Sequence, residues 1–183
     1  IDNEQILFRN EFKNNGVKFL ISLFDTGFYN PVEITEGMMF KEDMEEAYIK
    51  ILKWIGEDPN REGLKSTPKR LIKAFKEYFN GYSKDPNAIL SKTFNDIQGY
   101  DDMVVEKNIT VHSHCEHHMA PITGVAHVAY IPIKKIVGLS KLARVVEVFS
   151  KRLQTQERLT MQIANTLMNA LDAKGVAVSI DAT

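Results

Sequence analysis

Four of the chain's five histidines and its only cysteine fall in one short run, His112-Ser113-His114-Cys115-Glu116-His117-His118. No other stretch limits the fold as tightly. Cys115 and His118 have the Cys-x-x-His spacing of two ligands on one metal ion, and a thiolate with an imidazole is a borderline-soft pair suited to Zn²⁺. A structural zinc site needs four protein ligands and a catalytic one needs three plus water, so the run asks for at least one ligand from elsewhere. Two plainer alternatives stay open on these residues alone: a histidine-rich surface turn, and a buried cysteine acting as a small hydrophobe. His112 and His114 are two apart, so a strand would point both to one face.

The flanks are strand-like. Met103-Val104-Val105-Glu106 and Ile109-Thr110-Val111-His112 read as strands separated by Lys107-Asn108, and Gly124 to Ile131 reads as another. The cluster then sits at a hairpin-like junction, a rigid platform for a site. Upstream, Met44, Ala47, Tyr48, Ile51, Leu52 and Ile55 predict an amphipathic helix over 41–55, ended by Gly56. Thr67-Pro68 predicts an N-cap with proline at the first helical position, and that helix carries Arg70 and Lys73 at i and i+3, where their heads can meet one anion. Two solvated cations are the plainer reading of such a pair. Gly81 is read as its stop, followed by a short helix near 86–92 and then loop.

Downstream, Ser140 predicts the N-cap of a helix bearing Leu142, Val145, Val146 and Phe149. Lys141 and Arg144 lie in its first turn, where cations oppose the helix dipole. Such a turn can bind an anion with its free N–H groups, or the two cations can pair with Glu147 or another carboxylate. Spacing does not separate these. Gln156 and Glu157 open a long helix over 156–172, and Gly175 opens a last strand with Val176, Val178 and Ile180 alternating. Strands with a segregated helix pair make the class α+β.

The 183 residues fit one domain with an appendage. With 23 Lys plus Arg against 24 Asp plus Glu, a general polyanion-binding role, nucleic acid included, has no support. A single cysteine suits a reducing compartment, and the expectation is cytoplasmic. No apolar run reaches membrane-spanning length, so no membrane partner is expected. Residues 1–40, through which no clean period runs, are read as an extension holding a short helix and an extended segment that pack on something such as a neighbouring subunit. Residues 41–95 are read as an N-terminal helical region and 96–183 as the main domain.

The motifs Cys115-Glu116-His117-His118, His127-Val128-Ala129-Tyr130-Ile131-Pro132, Val137-Gly138-Leu139-Ser140-Lys141-Leu142-Ala143-Arg144 and Gln156-Glu157-Arg158-Leu159-Thr160, in this order, resemble GTP cyclohydrolase I. The resemblance covers about residues 41–183. It implies a tunnelling fold, an antiparallel sheet with two antiparallel helices on one face, and a homodecamer with active sites at subunit interfaces. It implies conversion of GTP to 7,8-dihydroneopterin triphosphate with release of formate, opening pterin synthesis for folate or tetrahydrobiopterin. By resemblance, Cys115 and His118 are zinc ligands and His117 transfers protons. Glu157 reads the guanine edge with Gln156 beside it. Arg70, Lys73, Lys141 and Arg144 hold the triphosphate, with Ser140 nearby.

One departure stands out. In the family the last strand runs on into a His-x-Cys segment, which supplies a second catalytic histidine and the third zinc ligand, and then an Arg-Gly. This sequence stops at Asp181-Ala182-Thr183, where that histidine is expected next. Read literally, the zinc site is incomplete and the chain inactive; the expectation is a sequence cut short. Two other functions stay in play: a non-catalytic purine-binding or regulatory subunit of the same fold, and a structural zinc module.

Overall fold

The computed structural model describes residues 5–10, 41–94, 99–100 and 102–183. They fall into two compact units, one of residues 41–79 and one of residues 80–183 with 5–10. In chain order the elements are β1 (Gln5–Asn10), α1 (Lys41–Trp54), α2 (Thr67–Tyr78), a 3₁₀ turn (Asn80–Ser83), α3 (Pro86–Leu90) and β2 (Thr93–Phe94). Then come β3 (Val104–Cys115), β4 (Pro121–Ile131), β5 (Ile136–Val137), α4 (Leu139–Ser150), β6 (Leu153–Gln154), α5 (Gln156–Leu171) and β7 (Gly175–Ala182).

In the smaller unit α1 packs on α2 through aromatic side chains. The Tyr48 and Phe75 rings lie 5.7 Å apart, and Phe75 and Phe79 lie 5.3 Å apart. Gly56 follows α1 with φ of 93°, a left-handed conformation that glycine adopts without a steric cost. The cap of α2 is Ser66 rather than Thr67, and Ser66 makes no side-chain capping bond. Thr67 and Pro68 form the first turn, where a proline's missing N–H costs nothing.

The larger unit is built on a five-stranded sheet in the order β1-β7-β4-β3-β6. The first three pairings are antiparallel, and β6 joins β3 in parallel through His114–Leu153 and Cys115–Gln154. Alternation decides which face is covered. Ile109, Val111 and Ser113 of β3, Ala126, Val128 and Tyr130 of β4, and Val176, Val178 and Ile180 of β7 are all buried. All but Ser113 share one core with Leu142, Val145 and Val146 of α4 and Leu159, Ile163, Leu167 and Leu171 of α5. Each large apolar side chain so buried contributes about 1.5–3 kcal/mol. The result is the expected α+β tunnelling arrangement, two helices on one face of a largely antiparallel sheet. Thr110 and His112 lie exposed on the opposite face of β3, as two-residue spacing required.

Several expectations are corrected in detail. Lys107-Asn108 does not separate two strands: β3 runs straight through with a register shift between Glu106 and Ile109. Asn108 takes a φ of 58°, which asparagine tolerates, so the ladder bulges and resumes. The loop expected after α3 holds β2, which pairs with β5. Ser140 is not the cap of α4. Gly138 holds that position in extended conformation and accepts the Lys141 N–H at 2.8 Å, which places Ser140 inside the first turn. In α5 the cap is Thr155, whose hydroxyl accepts the Arg158 N–H at 3.2 Å. Of residues 1–40, β1 alone is described, paired with β7. The short helix expected in that stretch lies outside the described residues. Among the described residues no helix is long and apolar enough to cross a membrane.

Candidate functional site

The Cys115 run is a tight turn joining β3 to β4. The Cys115 N–H donates to the Ala120 carbonyl and the Met119 N–H to the Cys115 carbonyl, both at 2.8 Å. Met119 closes the turn with a φ of 55°. The Glu116 N–H donates to the Gln154 carbonyl at 2.9 Å, continuing the short parallel ladder with β6. Three successive anchors therefore fix the backbone that carries Cys115, Glu116 and the two histidines after them.

β6 is itself held firmly. Gln154 is buried, and its amide nitrogen donates to the Phe149 carbonyl and to Gln162 Oε1, both at 2.8 Å. The Leu153 N–H donates to the Tyr82 hydroxyl at 3.0 Å. The Arg152 guanidinium lies 4.9 Å from the Phe149 ring centre and 5.7 Å from that of Tyr82, and its Nε donates to the Gly81 carbonyl at 3.1 Å. Gly81 is required there, since an added Cβ would stand 2.1 Å from the Val148 carbonyl oxygen. Its role is close packing against the C-terminal end of α4, beyond the end of α2.

Within the turn, Cys115 Sγ lies 3.8 Å from His117 Nδ1, and the rings of His117 and His118 are 6.2 Å apart. Both histidines are exposed, and Cys115 is half-buried. His114 is less accessible, and burial pushes its imidazole below the usual histidine range, favouring the neutral ring. Among the described residues no group of three or more His, Cys, Asp or Glu side chains is arranged to hold a metal ion. The donor set of Cys115 and His118 suits zinc in kind and supplies two ligands.

The first turn of α5 stands beside this turn. Arg158 NH1 reaches Glu116 Oε2 at 3.1 Å, and the other Glu116 oxygen lies 3.9 Å from His117 Nε2. Gln156 donates its side-chain N–H to the Ile180 carbonyl at 2.8 Å, tying α5 to β7. Glu157 is exposed in that turn. The structure thus brings Cys115, Glu116, His117 and His118 together with the helix start bearing Gln156 and Glu157. Sequence reading passed over Arg158; its one signal was adjacency to Gln156-Glu157.

Ser140, Lys141 and Arg144 lie in the first turns of α4, with Ser140 and Arg144 exposed and Lys141 half-buried. Glu147 does not neutralise them: its carboxylate meets Lys151 at 3.2 Å and Lys84 at 4.0 Å. Among the described residues neither Lys141 nor Arg144 has an ion-pair partner. Arg70 and Lys73 are both exposed on α2 of the smaller unit.

Comparison with known proteins identifies the family. The sequence profile of GTP cyclohydrolase I matches residues 44–183. A protein of Pelagibacter ubique named GTP cyclohydrolase 1 is 74% identical over 141 residues, covering 77% of this chain and 70% of that protein. One of the same name from Maricaulis maris is 60% identical over 142 residues, 78% of this chain and 69% of that protein. A third, from Brucella anthropi, is 52% identical over 151 residues, 82% and 71% of the two chains. With a profile match across most of its length and relatives this similar, the chain belongs to the GTP cyclohydrolase I family of enzymes.

Proposed function

We propose that the chain converts GTP to 7,8-dihydroneopterin triphosphate with release of formate, the first step of pterin synthesis. The observation that carries the reading is the tie between the Cys115 turn and the start of α5. Residues suited to metal and proton chemistry are bonded directly to the helix that presents Glu157.

Glu157 accepts N–H donors of the guanine edge, as an exposed carboxylate at a helix start can. Gln156 stands beside it with its amide nitrogen already engaged by β7. Lys141 and Arg144, with Ser140 in the same turns, hold phosphate oxygens. The resemblance assigns Arg70 and Lys73 to the same triphosphate. Cations with no carboxylate partner among the described residues suit that role, because the ligand's anion then takes the place of water rather than of a competing side chain. His117 carries protons to and from the reacting purine, the general acid–base role for which histidine is the commonest side chain.

Zinc is the metal that fits the donors. Cys115 and His118 hold it, and when bound it supplies a Lewis acid that makes water nucleophilic near neutral pH. The resemblance puts the third ligand in a His-x-Cys segment following residue 183. The pairing of β7 with β4 reaches Thr183, which exchanges backbone bonds of 2.9 and 3.0 Å with Thr123. Assembly into a decamer with interface active sites, and a cytoplasmic setting, complete the reading.

The test is formation of the fluorescent pterin and of formate from GTP, with zinc measured in the same sample. This chain is compared with one carried on through the His-x-Cys segment. Stoichiometric zinc and turnover in the longer chain support the proposal. GTP binding with zinc present and no formate overturns it in favour of a purine-binding subunit.

A further inference from the structure

We infer that Arg158 is a positioning residue for this reaction: through Glu116 it holds the Cys115–His118 turn in register with the helix start at Gln156-Glu157. The inference rests on the function proposed above and adds a residue to it.

Two of the attachments between the turn and the residues around Thr155 come from Glu116. The first is the Glu116 N–H to the Gln154 carbonyl at 2.9 Å. The second is the Arg158 guanidinium to the Glu116 carboxylate at 3.1 Å, across 42 residues of sequence. The backbone bond, with the anchors at Cys115 and Met119, fixes the main chain of the turn. The ion pair adds a side-chain bond from the same residue to the far side of Thr155, which fixes where the Glu116 carboxylate stands. The Arg158 end is fixed in turn, because its own N–H is held by the Thr155 hydroxyl. The carboxylate also faces the imidazole of His117 through its second oxygen, at 3.9 Å. One side chain thus stands between the guanidinium and the ring assigned to proton transfer.

Exposure argues against a purely structural role. The two side chains are 37% and 31% accessible, and ion pairs as open as this contribute little to global stability. Their geometric effect can still be large, since misplacing a reacting group by about 1 Å can lower a rate by about 100-fold.

The test uses the natural full-length chain and the variants R158Q, E116Q, the double variant and R158K. Loss of the tether lowers kcat by roughly tenfold in either single variant, leaving KM for GTP within about twofold. The double variant is then no worse than the poorer single, because both remove one interaction. R158K, which keeps the charge, recovers part of the loss. Hydrogen exchange reads the same tether without catalysis: amides of residues 115–119 exchange faster in R158Q while the melting temperature and zinc content hold. Effects on kcat that multiply in the double variant overturn the inference, as does a rise in KM alone or unchanged exchange at 115–119. If the unaltered protein releases no formate while R158Q still loosens 115–119, the functional reading fails and the tether stands.

Discussion

The Cys115 turn and the first turns of α4 carry two kinds of charged chemistry within one unit, and they are built in opposite ways. In the Cys115 turn the backbone is anchored at Cys115, Glu116 and Met119, and the strand beneath it is held by Arg152, Tyr82 and Gln154. In the first turns of α4, Lys141 and Arg144 stand without ion-pair partners among the described residues, over a cap that makes no side-chain bond. Bond making and proton transfer need atoms placed to a fraction of an ångström. Holding a phosphate chain needs mainly a local field, which tolerates a mobile cation. On the function proposed, the contrast is between a site defined by geometry and one defined by charge.

The strongest way to break the comparison is Cys115→Ala. Loss of a ligand should exceed the roughly 10- to 100-fold cost of disturbing a ligand's supporting contacts, so formate release falls by more than about 100-fold. Zinc content falls with it, and the melting temperature changes far less. Retained zinc in this variant would show that Cys115 is no ligand. A smaller effect comes from the double change Lys141→Ala with Arg144→Ala. Losing charge-assisted contacts to phosphate raises KM for GTP by about 10- to 100-fold with kcat little altered, and added salt reproduces part of that rise in the unaltered protein. A fall in kcat at constant KM would erase the distinction between the two turns. The smallest effect is Thr155→Ala, which frees the Arg158 N–H and costs about 1 kcal/mol of stability, read as a shift in urea midpoint. Its trace in catalysis should appear in kcat, on the geometric side of the comparison.

Much of this was legible in the sequence, for physical reasons. Period-two runs such as Val176, Val178 and Ile180 and period-3.6 runs such as Leu159, Ile163 and Leu167 leave a direct mark when one face is buried. The Cys-x-x-His spacing stood out because both ligand types were concentrated in one turn. What stayed hidden depends on contacts distant in sequence. Two-residue strands such as β6 are too short to show a period, yet β6 supports the turn. The cap of α4 fell to Gly138 because backbone conformation, rather than side-chain type, decided it. The bulge at Asn108 reads as a break because a left-handed residue inside a strand looks the same as a turn. Arg158 was invisible as a partner of Glu116, since nothing local links residues 42 apart.

The place of β7 in the sheet has a consequence for how the protein is made. It lies between β4 and β1, yet it follows every other described strand in chain order. Until residues 175–182 emerge during synthesis, β4 presents an unpaired edge from Gly124 to Ile131, with Val128 and Tyr130 on its apolar side. Such an edge is open to pairing with another nascent chain. The sheet closes late and all at once, so slowing translation before residue 175 should favour aggregation over folding.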